Sequence, residues 1–234
     1  MSPRQRSFAD AARCARYWGV ASVHDPTFAI PPKTPFPWGT SPFRVRGSVY
    51  SDEIANLERT TPGGLQLMLR RIGEGSLADY LGQRFGVAHS YDILPLIYLA
   101  SHCARARKIG YELQVRESAI FHATRALQGF SGIVLRLLSH EAVALWIPRI
   151  SAWYHDFGGV ETRSVSPGIV RGVRFGMPRV YVQSWAITAM VFTEHVLTRA
   201  GARDPRVHAL GPEPDGMREG HPLYRVPFEV RWST

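Results

Sequence analysis

Two cysteines, Cys14 and Cys103, are all that 234 residues contain, and no CxxC pair exists. Two isolated thiols cannot build a thiolate metal cage. The plainer reading is two reduced cysteines in the core of a cytoplasmic protein. Lysine is nearly missing: of 28 basic residues only Lys33 and Lys108 are lysine, which leaves 26 arginines. No apolar run approaches the ~20 residues that a membrane span requires. The amino terminus, Met1-Ser-Pro-Arg-Gln-Arg, is basic, but no continuous apolar segment follows it. That speaks against a secretory signal. Gly-x-Ser-x-Gly, Walker and dinucleotide fingerprints are lacking, and so is any internal repeat.

What is there is ordinary in amount. A hydrophobic fraction of 45% supplies a real core. The net charge of +9 raises the question of nucleic acid. The arginines, however, are scattered from Arg4 to Arg231. Their densest group, Arg105-Ala-Arg-Lys108, sits at a predicted helix end, where cations complement the dipole. Evenly spread arginine reads as compositional bias and not as a binding stripe, so nucleic acid is not among the expected partners.

The chain divides at Trp146-Ile-Pro-Arg-Ile-Ser-Ala-Trp-Tyr-His-Asp-Phe-Gly158. Before this corner the apolar period is helical; after it residues alternate. Six prolines lie between 26 and 42, a density that suits an extended linker. Residues 7–18 read as an alanine-rich helix capped by Ser7. Residues 1–42 are therefore expected to be an appendage, with Phe28, Phe36 and Trp38 laid on the surface of a single domain spanning 43–234. Within that domain a short strand from Phe43 precedes a helix capped by Ser51, with Asp52 and Glu53 in its first turn. Further helices are expected from Pro62, from Ser76, over 91–109 and 111–130, over 131–138, and from a Ser139 cap to the corner. Pro95 falls in the first turn of the 91–109 helix, where proline is tolerated. Strands follow at 160–165, 169–175, 206–210 and 223–232, around one helix at 185–200 closed by Gly201. Gly211 to Pro222 reads as a loop, and Pro227 predicts an edge or bulge position. The fold class is α+β: an amino-terminal helical part, then a small antiparallel sheet in the order strand-strand-helix-strand-strand, packed on helices.

Tyr154-His-Asp-Phe-Gly158, the hairpin after it, the helix ending Ala200-Gly-Ala-Arg-Asp204 and the strand beyond resemble a family of paralogous domains of unknown function from myxobacteria. Arg46-Gly-Ser48, Tyr91-Asp-Ile-Leu-Pro95 and Gly110-Tyr111 fit the same pattern. The resemblance covers roughly 43–232 and implies no agreed activity. The family's layout is in turn similar to the ligand-binding fold of haem nitric-oxide sensors, 4-vinyl-reductase-type domains and a vesicle-tethering subunit. That likeness implies an apolar pocket between helices and sheet, as an analogy of fold.

Several polar residues are candidates for chemistry. His102 and Cys103 adjoin, but neighbouring helix positions point about 100° apart, and no His-x-x-x-His or Glu-x-x-His spacing supports a metal. His122 could ligate a haem as a helix histidine does in the sensors. The sensors' Tyr-x-Ser-x-Arg run is absent, since Tyr181-Val-Gln-Ser184 has the wrong spacing, and no cofactor is expected. His155-Asp156 could pair for base catalysis, although Asp156 more simply turns the corner. Ser139-His-Glu141 is a helix cap before it is a nucleophile and base. Glu194-His195 marks either the solvent edge of the 185–200 helix or a polar point in a pocket.

Three classes of function stay open. One is a non-enzymatic sensory or regulatory module with an apolar pocket, its partner a small apolar ligand. Another is an interaction module that forms a homodimer. The third is an enzyme with an unrecognised site. The pocket is expected to draw on Phe121, His122, Leu127, Trp146, Trp153, Trp185, Ala189, Met190 and Phe192. Helix 185–200 carries more apolar surface than one sheet face covers. Ile120, Ala123, Leu127 and Phe130 form the facing stripe, and small residues such as Ala123 and Ala189 among large aromatics leave room for a guest.

Overall fold

The computed structural model describes residues 29–129 and 138–233. The 7–18 helix, Cys14, Phe28, Phe130 and the helix expected before Leu138 lie outside the described residues. In chain order the elements are β1 (Arg44–Arg46), α1 (Gly47–Thr60), α2 (Gly64–Ile72), α3 (Ser76–Leu81), β2 (Ser90–Asp92), α4 (Leu94–Arg107), α5 (Tyr111–Gly129) and α6 (His140–Ala152). Then come β3 (Gly159–Ser166), β4 (Ile169–Pro178), α7 (Arg179–Arg199), β5 (Arg203–Ala209), β6 (Glu213–Arg218) and β7 (His221–Ser233). The class is α+β, and both sheets are antiparallel.

The corner behaves as its sequence requires. Ser139 caps α6, its hydroxyl accepting the Ala142 amide at 3.1 Å. Asp156 then turns the chain against β1: its carboxylate accepts the Arg44 amide at 2.7 Å, and its own amide donates to the Arg44 carbonyl at 3.1 Å. Gly158 takes φ +64, and a Cβ there would collide with the Phe175 carbonyl oxygen. Only glycine lets β3 start this close to β4. The hairpin follows in register from Gly159 opposite Phe175 to Ser164 opposite Val170, and a bulge then sets Ser166 opposite Ile169.

Five expectations need correction. The helix expected over 91–109 gives Tyr91 and Asp92 to β2 and runs from Leu94 to Arg107. The first helix begins at Gly47, not at Ser51. Ser51 is an interior residue whose hydroxyl donates back to the Gly47 carbonyl at 3.2 Å, as mid-helix serines commonly do. Asp52 and Glu53 thereby leave the first turn. The long apolar helix begins at Arg179, six residues before Trp185, with Pro178 in the cap position and no side-chain cap bond to announce it. The 211–222 segment is not only a loop, because it contains β6, so the sheet has five strands. Finally, Pro227 lies in a strand paired on both sides. Its carbonyl accepts the Leu210 amide at 2.8 Å, in the gap where β5 pairing ends at Ala209 and β6 pairing begins at Glu213. Nitrogen and carbonyl of one strand residue face the same side, so the missing N–H falls in that gap and no ladder bond is lost.

Two apolar cores result. The sheet-side core is built on α7, with Ile187, Met190, Leu197, Val226 and Val230 among its fully buried members. The helix-side core gathers Phe43, Tyr50, Leu57, Met68, Leu81, Leu94 and Leu99. The 29–42 strap lies on the second core. Phe36 and Trp38 pack against it, Trp38 edge-on to Tyr98 with ring centroids 5.0 Å apart. The buried Asp92 carboxylate pins the strap by accepting Gly39 N at 2.9 Å, Ser41 N at 3.3 Å and Ser41 Oγ at 2.5 Å, and it also caps Leu94 N at 2.9 Å. Four donors satisfy a group that would otherwise be costly to bury. Among the described residues no helix is long and apolar enough to cross a membrane.

Candidate functional site

The two cores do not merge. Between them lies a cavity of about 380 Å³, within the usual range for small-molecule sites. Its wall takes Val45, Ile93 and Ile97 from the helix-side core, and Val115, Ala119, Ile147 and Trp185 from the sheet-side core. Helical spacing explains which side chains arrive. On α5, Tyr111, Val115, Ser118, Ala119, His122 and Ala126 share one stripe. On α7, Tyr181, Ser184, Trp185, Thr188, Ala189 and Phe192 do the same. Pro148, inside α6, also lies on the wall.

Of the expected pocket residues, His122, Trp185, Ala189 and Phe192 line this cavity. Met190 stands behind the wall on the sheet side, beside a void of about 10 Å³ that it shares with Pro148, Trp185 and Thr193, roughly the space of one water. Leu127 packs against the sheet-side core. Phe121 lies beneath the guanidinium groups of Arg59 and Arg125, at 5.0 and 5.7 Å. Trp146 and Trp153 face outward, 44% and 62% exposed, packed edge to face on each other. The facing stripe on α5 is displaced by a turn fraction: Ile120 is 44% exposed, while Ala123 is fully buried outside the cavity.

The polar groups of the wall fall into three sets. At one end Glu53 accepts Ser118 Oγ at 3.0 Å and meets His122 Nε2 at 3.0 Å. His122 Nδ1 is 3.9 Å from Asp52, and Asp52 pairs with Arg125 at 3.0 Å. In the middle, Tyr111 and Ser184 share a hydrogen bond of 2.6 Å, and burial pushes the Tyr111 phenol above its ordinary range. At the far end the Tyr181 hydroxyl meets His155 Nε2 at 2.8 Å. Burial raises the Tyr181 phenol, opposed by the Arg174 guanidinium behind it. The indole N–H of Trp185 is buried without a hydrogen-bond partner. Asp52, Glu53, Ser118, Tyr111 and Tyr181 were not among the residues expected here. Asp52 and Glu53 read as dipole-complementing acids when the cap is placed at Ser51; starting α1 at Gly47 turns them toward α5.

The other polar candidates serve elsewhere. Asp156 orients the corner, as described, and His155 bonds Tyr181. Glu194 accepts the Val207 amide at 2.9 Å and so ties α7 to β5; burial raises its carboxyl, with that bond and Arg206 and Arg116 opposing. His195 lies 3.4 Å from Thr124. Burial, then Arg105, lowers His102, and burial pushes the Cys103 thiol up to about 12. Among the described residues no group of three or more metal-ligating side chains converges.

No family model and no curated protein matches this sequence. Solved structures do. The chain is similar to an oxygen-binding H-NOX domain related to soluble guanylate cyclases, in its oxygen complex, at 8% identity and TM-score 0.58, over 81% of this chain and 95% of that one. It is similar to an H-NOX structure that probes the function of heme distortion in that family, at 8% identity and TM-score 0.59, over 81% and 95%. A structure concerned with heme redox potential and protein-induced porphyrin distortion matches at 9% identity and TM-score 0.56, over 80% and 99%. At this identity the likeness shows the fold: this chain adopts the heme-NO-binding fold.

Haem is the group that fold implies, and the residues present do not fit it. A haem needs an imidazole or comparable ligand free to meet iron. The Nε2 atoms of both cavity histidines are engaged, His122 by Glu53 and His155 by Tyr181. Its propionates need cationic partners. Among the described residues the cavity wall offers one guanidinium, Arg125, already paired with Asp52, beside a second carboxylate, Glu53.

Proposed function

We propose that residues 43–234 form one ligand-binding regulatory domain, strapped by 29–42, whose cavity takes a small and largely apolar molecule. The observation that carries this reading is the cavity of about 380 Å³ at the seam between two closed cores. Its walls are mostly aliphatic and aromatic, and its few polar groups are fixed by one another, an arrangement suited to orienting a guest. Binding, not turnover, is the role assigned. The carboxylate and imidazole that meet on the wall are bonded to each other, and the Cys103 thiol lies outside the lining. The resemblance of 43–232 to the myxobacterial paralogues rests on the residues alone, since no family model matches, and it adds no activity. Native mass spectrometry of protein purified from its host tests the proposal. A retained molecule at one per cavity is expected, displaced by 1-octanol. Apoprotein that also takes up no 1-octanol would count against it.

One observation favours a second, compatible reading. Trp146 and Trp153 form an exposed aromatic pair on the outer side of α6. Exposed tryptophans set side by side are typical of contact surfaces. A homodimer through this face predicts concentration-dependent sedimentation that Trp153→Ser abolishes.

A further inference from the structure

Resting on that pocket reading, we propose that the cavity selects a cationic amphiphile: a small apolar molecule ending in an ammonium group, seated at Glu53 and Asp52. The chain carries +9 overall, yet its cavity inverts that sign. Among the described residues the Asp, Glu and Arg side chains on the wall are Asp52, Glu53 and Arg125. Two carboxylates against one guanidinium leave a negative charge inside a basic protein. A low-dielectric wall focuses that charge on whatever enters.

The acidic end is graded. Side-chain exposure falls from 47% at Arg125 to 31% at Asp52, 20% at His122 and 9% at Glu53. Arg125 thus neutralises Asp52 near solvent, while Glu53 lies deeper. The partners of the Glu53 carboxylate are the Ser118 hydroxyl and His122. Guanidinium groups nearby are taken elsewhere: Arg107 by Glu117 at 2.6 Å, Arg116 by Glu112 at 2.7 Å and Arg59 by Asn56 at 3.1 Å. A buried carboxylate is stabilised by a full positive charge beyond neutral hydrogen bonds. A guest's ammonium can supply one positive charge beside Glu53 and Asp52. An ammonium has three donors for these acceptors and no lone pair to conflict with them. Beyond this end the wall is Val49, Leu96, Ile97, Val115, Ala119 and Phe192, suited to an aliphatic or aromatic body. The same carboxylates that disfavour haem propionates favour this cation.

The test uses three probes of one length on the full chain at pH 7: octylammonium, 1-octanol and octanoate. Alkylammonium groups are charged there, as lysine is with its pKa of about 10.4. Calorimetric titration is expected to give octylammonium the tightest binding and octanoate the weakest, the two at least about tenfold apart. Glu53→Gln keeps shape and removes charge; it should weaken octylammonium by roughly tenfold or more and leave 1-octanol unchanged. Asp52→Asn, nearer the surface, provides a second variant with the same direction and a smaller change. Octanoate binding as tightly as octylammonium overturns the proposal, and so does charge-independent binding in both variants. Binding of 1-octanol with no preference for octylammonium sinks the cationic assignment and leaves the pocket standing. Uptake of none of the three sinks both.

Discussion

The two cores of this molecule are built by different means, and the contrast locates the cavity. The helix-side core is closed by aromatic rings: Tyr50 stacks on Phe85 at 4.0 Å, Phe43 meets Phe157 edge-on at 5.5 Å, and the proline-rich strap covers it. The sheet-side core is closed by aliphatics from β4, β5 and β7 against α7, flanked by α5 and α6, with Trp185 set against Phe228. Each is complete on its own. Neither projects enough bulk across the seam, where Ala100, Ala119, Ala126 and Ala189 face one another. Helix α7 shows the consequence on two faces. Ile187, Met190 and Leu197 are sealed against the sheet, while Ser184, Thr188, Ala189 and Phe192 line the opening. That is why α7 is apolar nearly all round, although the sheet covers one side.

If the cores are solid and the seam hollow, the same kind of mutation should have unequal costs. Leu197→Ala, in the sheet-side core, is expected to lose about 2–5 kcal/mol in urea denaturation, the range for a buried leucine whose cavity cannot collapse. Ala123→Trp, at a fully buried alanine outside the cavity, should lose about 1–3 kcal/mol or more through overpacking. Ala189→Trp adds the same bulk into open space and should cost under about 1 kcal/mol. Equal costs at Ala123 and Ala189 would erase the distinction between core and seam.

Two smaller effects sharpen the sheet and helix sides separately. Burial raises the Glu194 carboxyl, so ionising it in the folded state is unfavourable. The sign follows from linkage: below the unfolded pKa both states are protonated and nothing is lost, and the folded state gives up stability as pH rises through the raised folded value. Glu194→Gln keeps an acceptor for Val207 and should be more stable than wild type at neutral pH, with the difference vanishing near about pH 4, the ordinary carboxyl range. On the helix side, burial holds the Cys103 thiol up at about 12. It should resist alkylation by iodoacetamide at about pH 8 until denaturant is added, read by peptide mass spectrometry. Reaction in the native state would mean that α4 opens locally.

Much of this fold was legible because its signals are local. The Ser139 cap, the glycine corner and the 159–178 hairpin each announce themselves within a few residues. β6 did not, because Glu213-Pro-Asp-Gly-Met-Arg carries a proline and a glycine and becomes a strand by pairing with β7, with Asp215 also accepting the Gly176 amide of β4 at 2.6 Å. The start of α7 lacked a cap. The site was legible in part, through the apolar helix: Trp185, Ala189 and Phe192 came from α7, and His122 from a helix histidine. Trp146 and Trp153 show the limit of that reasoning, since periodicity marks a helix but aromatic content does not say which side is covered. Asp52 and Glu53 escape for a different reason. A one-turn difference in where α1 begins changes their role from helix end to cavity wall.

Whether the seam holds a guest is decided by calorimetric titration of 1-octanol into wild type and Ala189→Trp. The wild type should show one site with a negative heat-capacity change, the mark of apolar burial. An Ala189→Trp protein of nearly unchanged stability should show no binding. Equal binding in both proteins, or none in the wild type together with a strongly destabilised variant, would contradict a seam that holds a guest.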